Sequence, residues 1–92
     1  MAKAIITTKI MPESPEVDLK KLEEDCLSKI KEFSGESDAK VEIEPIAFGL
    51  KALKITFVMD ESLGSTESLE KSVTSIEEVS SIEIVDVRRA IG

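Results

Sequence analysis

From Lys3 to Met11 the chain alternates, with Ala4, Ile6, Thr8 and Ile10 on one face and Lys3, Ile5, Thr7 and Lys9 on the other. Period two with β-branched residues predicts a strand, closed by Pro12 and Pro15. Asp18 then suits a helix N-cap, with Val17 before it and Leu22 after it at the spacing of a hydrophobic staple. Leu19, Leu22, Cys26, Ile30 and Phe33 follow at steps of three and four, which predicts one apolar stripe on a helix ended by Gly35. Lys40 to Ile46 alternates again, Val41 and Ile43 against Glu42 and Glu44. Pro45 removes a ladder donor there and predicts an edge strand. Leu53, Ile55, Phe57 and Met59 alternate with Ala52, Lys54, Thr56 and Val58 in the most apolar strand, expected at the centre of the sheet. Gly64 leads to Ser65 or Thr66 as a second N-cap, before Leu69, Val73 and Ile76. Ile82 to Val87 is the last strand, and its Glu83, Asp86 and Arg88 suit an edge.

The order strand, helix, strand, strand, helix, strand is two βαβ halves. Right-handed crossovers place both helices on one face of a four-stranded antiparallel sheet, which predicts an α+β, ferredoxin-like βαββαβ sandwich. Ninety-two residues are too few for two ordinary cores, so residues 1–92 are expected to form a single domain.

Charge and missing residue types narrow the function. Lys and Arg number 12 and Asp and Glu 19, a net charge of −7. That balance opposes phosphate-tracking nucleic-acid binding and adsorption to anionic membranes. The chain has no His, Trp, Tyr, Asn or Gln, so the usual general base near neutral pH and the commonest metal ligand are absent. No apolar run approaches the ~20 residues of a membrane span, and the N-terminus does not read as a signal peptide. One cysteine allows no internal disulfide and fits a reducing cytosol, and its place on the apolar stripe makes Cys26 a small buried hydrophobe rather than a reactive thiol. Neither glycine-rich phosphate-loop pattern occurs. Acyl-phosphate hydrolysis on this fold requires an Arg in the first strand–helix loop and an Asn, and the loop Met11–Val17 has no Arg. Base stacking by an RNA-binding sheet needs strand aromatics, and only Phe57 is available, on the core face. The acidic run Glu23-Glu24-Asp25 reads as a solvated helix face. Asp60-Glu61 reads as a strand end whose carboxylates attract a cation only weakly.

Two features stand out. Phe48 lies in Pro45-Ile46-Ala47-Phe48-Gly49-Leu50, between two strands, where chains usually turn polar. Spacing alone favours a plug folded into the core over a knob presented to a partner. Arg88-Arg89 are the only arginines. They read equally as a solvated pair guarding the edge strand and as a functional pair.

Pro45-Ile46-Ala47-Phe48-Gly49-Leu50-Lys51-Ala52-Leu53 resembles the Pro-x-x-Phe-Gly-x-x-x-Leu segment of the elongation factor 1-beta family. Lys9–Pro15, Gly64-Ser65-Thr66-Glu67 and Val85-Asp86-Val87-Arg88-Arg89 resemble its archaeal branch, in register over essentially the whole chain. The resemblance implies a cytoplasmic guanine nucleotide exchange factor for the translation GTPase elongation factor 1-alpha. Such a factor acts by protein binding without covalent chemistry, and it has no cofactor or metal of its own. No nucleic-acid or membrane partner is expected, and the free protein is expected to be a monomer. The family's loop aromatic, which wedges into the GTPase beside its switch region and magnesium, maps onto Phe48, flanked by Pro45, Gly49 and Leu50. The basic residue that intrudes on the magnesium site, Lys in eukaryotic relatives, maps onto Arg89, next to Arg88. The competing reading is a non-enzymatic ferredoxin-like module that senses a small molecule or oligomerises through its open sheet face.

Overall fold

The computed structural model describes residues 3–35 and 39–90. The elements run β1 (Lys3–Pro12), α1 (Leu19–Ser34), β2 (Ala39–Pro45), β3 (Lys51–Asp60), a single 3₁₀ turn (Glu61–Leu63), α2 (Glu67–Thr74) and β4 (Val79–Ala90). The sheet order is β2-β3-β1-β4 with every pair antiparallel, the ferredoxin-like arrangement expected from the pattern. β3 is central and β2 and β4 are the edges, as the apolar run and the edge residues predict.

Register follows from burial. Ala4, Ile6, Thr8 and Ile10 of β1 pair across with Met59, Phe57, Ile55 and Leu53 of β3, all buried on one face. Leu22, Cys26 and Ile30 of α1 and Leu69 and Val73 of α2 close the core over that face. The polar member of this set, Thr8, is satisfied because its hydroxyl donates to the Ile55 carbonyl at 3.0 Å. Asp18 caps α1, its carboxylate accepting from the Lys20 and Lys21 amides at 3.1 and 3.4 Å. Gly35 ends the helix at φ 75°, donating to the Lys31 carbonyl. At α2 Thr66 holds the N-cap position without a side-chain cap of its own. The Ser65 hydroxyl accepts from the Glu67 amide at 2.9 Å, and Thr66 donates to the Glu70 carboxylate at 3.0 Å. Ile76 lies past the end of α2 but still packs against the core.

Two features go beyond the pattern. β4 extends from Val79 to Ala90, longer than the apolar alternation at 82–87 indicates, because pairing with β1 continues through polar residues at both ends. β4 also carries a bulge. Thr8 pairs with Ile84 but Thr7 pairs with Asp86, so Val85 is the extra residue. Beyond it the strand alternates in the opposite phase.

Phe57 is 1 % exposed at the centre of the core. Phe57→Ala is expected to cost about 3–5 kcal/mol in urea unfolding, the range for a truncated core aromatic.

Candidate functional site

The β2–β3 hairpin closes through Ala47-Phe48-Gly49-Leu50. The Leu50 amide donates to the Ala47 carbonyl at 2.9 Å, and the Ile46 amide donates to the Leu50 carbonyl at 2.8 Å. Phe48 and Gly49 have φ of 53° and 81°. Positive φ at both central residues is the mark of a type I′ turn, whose twist matches the strands it joins. Gly49 is required for that backbone angle rather than for space, since an added Cβ would make an ordinary 3.6 Å contact with Pro15. Phe48 is a different matter. A bulky residue in the left-handed region costs roughly 1–2 kcal/mol, and it is the one non-glycine residue with positive φ among those described.

The side chain held at that cost is 97 % exposed. The expectation of a core plug is therefore corrected: Phe48 is a knob. The turn lies past the last strand pair, Pro45 with Lys51, and neighbouring Ile43 and Ile46 are exposed too, so the hairpin end reaches beyond the helical cover. Pro45 is exposed at the edge of this end and Leu50 is half-buried at its base.

Arg88 and Arg89 stand at the other end of the sheet. Arg89 pairs with Ala4, itself opposite Met59 near the end of β3, whereas the Phe48 turn precedes Lys51. Lys51 to Met59 spans roughly 26 Å at the usual strand rise, in a body 42 Å long. The structure thus brings together Pro45, Phe48, Gly49 and Leu50, and separately Arg88 and Arg89, but not the two groups. Nor do the arginines form one cluster. Arg88 lies on the open face of the sheet with its Nε 2.9 Å from Asp86, whereas Arg89 lies on the helix side. There its Nε and Nη2 donate to the two carboxylate oxygens of Glu61 at 2.9 and 3.2 Å, and this pairing pushes the guanidinium pKa up. A depression of about 440 Å³ opens on the same end, floored by Ala4, Ile6, Met59 and Val87 and rimmed by Glu61 and Thr66.

Asp60 and Glu61 are thus engaged within the protein. Asp60 caps the 3₁₀ turn, its carboxylate accepting from the Ser62 amide at 2.9 Å, which holds its pKa below the ordinary value. Among the described residues no group of three or more metal-ligating side chains converges. Cys26 is fully buried, and desolvation pushes its thiol up to about 12. On the open face, Glu42, Lys54, Lys9 and Glu83 lie in one row across the four strands. Lys9 also reaches Glu44 at 3.7 Å, and Thr7 and Thr56 share a hydrogen bond. The middle of this face is therefore charged and polar, with Ile5 and Val58 paired beside it.

Comparison with known proteins covers both ends of the sheet. The EF-1 guanine nucleotide exchange domain matches residues 5–90, which include both. The chain belongs to this exchange-domain family. Its relatives include the elongation factor 1-beta of Methanothermobacter thermautotrophicus, 46 % identical with 97 % of this chain and 98 % of the relative covered. Those of Methanobrevibacter smithii and Methanocaldococcus jannaschii are each 42 % identical, covering 97 % and 98 % of this chain and 98 % and 100 % of the relative. As an EF-1 guanine nucleotide exchange domain the chain serves guanine nucleotide exchange in translation elongation, and the sensing or oligomerising reading is not favoured. No helix among the described residues is long and apolar enough to cross a membrane.

Sequence reasoning missed that Glu61 grips Arg89. The contact joins positions 28 apart, and its one sequence signal is an acidic residue placed where a strand ends.

Two outcomes follow from the titrating groups. Asp60 has a depressed folded pKa, so the stability it contributes is present above the ordinary value of 3.8 and is lost as pH falls through the lower folded value. The difference in urea midpoint between wild type and Asp60→Asn should therefore shrink on descending from about pH 5. Cys26 should resist a thiol-reactive dye in the folded protein at neutral pH and react on unfolding, followed by absorbance.

Proposed function

We propose that this chain binds the translation GTPase elongation factor 1-alpha and speeds release of its GDP, using its two ends on two places of that partner. The observation that carries this is Phe48, which is 97 % exposed in a backbone conformation unfavourable to a large side chain. Strain kept at a surface position that contributes nothing to the core supports a binding role. A rigid ring at a hairpin tip is a low-entropy anchor, worth ~2 kcal/mol or more when a pocket receives it.

The resemblance places both the aromatic wedge and the basic residue beside the magnesium ion of the GTPase. A separation of roughly 26 Å on a rigid sheet favours dividing those tasks. Arg89 enters the metal and phosphate region, while Phe48 anchors a second surface of the same GTPase. Bound GDP is retained through magnesium and its phosphate contacts. A guanidinium there replaces part of the metal's charge while disturbing its coordination. The factor shifts the GTPase toward its nucleotide-free state only by as much as it prefers that state. Linkage makes the effect mutual, so an arriving nucleotide weakens the grip of the factor. No general base, nucleophile or cofactor enters this scheme, and a chain without His suffers no handicap in it. The protein works in the cytoplasm as a monomeric domain spanning residues 1–92, and with a net charge of −7 it makes no direct contact with nucleic acid.

Release of a fluorescent GDP from archaeal elongation factor 1-alpha tests this. Added protein should accelerate release in a saturable way, and unchanged release at saturation would remove the reading. Phe48→Ala is expected to weaken association by about 2 kcal/mol or more, raising the half-saturating concentration. Phe48→Gly should lose the same affinity while unfolding no more easily than wild type in urea, because the backbone strain disappears with the side chain. Arg89→Ala should lower the maximal rate more than the affinity.

A further inference from the structure

Resting on the exchange reading above, we propose that Glu61 is the positioning residue for Arg89, holding one edge of the guanidinium so that the other edge is presented to the partner. Arg carries five N–H donors in a planar fork. The Nε–H and one N–H of Nη2 go to the Glu61 carboxylate at 2.9 and 3.2 Å, which leaves three donors, one on Nη2 and two on Nη1, turned away from Glu61. Two bonds fix the plane of the fork as well as its place, which a single contact would not do.

Glu61 is itself held. It opens the 3₁₀ turn, which Asp60 caps at the start through the Ser62 amide. At the other end the Gly64 amide donates to the Glu61 carbonyl at 3.0 Å, and Gly64 adopts φ 75° and ψ −123°, a conformation that only glycine enters readily. The order of support is therefore capped turn, carboxylate, guanidinium. The carboxylate side is the more sheltered partner, with the Glu61 side chain 32 % exposed and that of Arg89 72 % exposed. Stability does not account for this arrangement, because exposed ion pairs add little to it. Presentation does. A long side chain whose rotamers are restrained before the encounter loses less freedom during it. Arg88, paired with Asp86 on the opposite face, receives no such support from another element among the described residues.

The test is fluorescent-GDP release from archaeal elongation factor 1-alpha over a range of protein concentration, for wild type, Glu61→Ala, Glu61→Gln, Arg89→Ala and the double variant Glu61→Ala/Arg89→Ala. Glu61→Ala should lower the maximal rate ~10-fold, as loss of a supporting contact typically does, with the half-saturating concentration and the thermal midpoint unchanged. Glu61→Gln keeps one acceptor and should recover part of the rate. The double variant should be no slower than Arg89→Ala, since Glu61 acts through Arg89. The Arg89 Nε–H resonance should be protected from solvent exchange in wild type and lose that protection in Glu61→Ala. If Arg89→Ala is slow while Glu61→Ala runs at the wild-type rate or faster, or if the two losses add, the positioning role is overturned and the exchange reading stands. If Arg89→Ala itself runs at the wild-type rate, Arg89 leaves the mechanism and the role of Glu61 is overturned with it.

Discussion

The pairing of β1 with both its neighbours is the constraint on which the rest depends. Its apolar face meets that of β3 residue for residue, and both are buried beneath the helices. A slip of one residue would turn Ala4, Ile6, Thr8 and Ile10 to the open face, exposing three oily side chains to water. The register is therefore fixed by burial, and the register decides what the molecule displays. It sets the β2–β3 turn past one end of the sheet and the end of β4 at the other.

Between those ends lies a scaffold with little exposed chemistry. Its cysteine is buried and protonated, its open face carries rows of mixed charge, and the carboxylates after β3 are committed to a cap and an ion pair. A body of this kind suits work done by shape and placed charge. Exchange requires no bond to be made or broken. It requires that one conformation of the partner be gripped better than another, and a stiff sheet keeps its two displayed ends at a fixed separation.

Much of this was legible in the chain, because period-two and helical spacing report directly on which side chains are buried. The central position of β3, the cap at Asp18, the left-handed Gly35 and the edge role of Pro45 all follow from local rules. What spacing could not settle was the direction of Phe48. For an aromatic next to glycine spacing favours a plug, and what decides for the knob is that no helix reaches over the turn. The Glu61–Arg89 pair was out of reach for another reason. It joins distant positions through a turn that one short carboxylate cap creates, and no periodicity encodes it. The bulge left a trace that spacing alone does not explain, an apolar doublet at Ile84-Val85 that breaks the alternation of β4.

That doublet has a consequence for the arginines. Were Val85 paired in the ladder instead of bulged, it would face Thr7 in place of Asp86, and each later residue of β4 would move one partner along β1. Arg88 would then fall opposite Ala4 and point toward the helices, while Arg89 would be carried to the other side. The choice of which guanidinium meets Glu61 thus belongs to the reading frame of a strand, set by a single inserted residue upstream. Distance from the C-terminus is for this reason a poor guide when basic positions are matched between relatives; the count of residues between the bulge and the arginine is the better ruler.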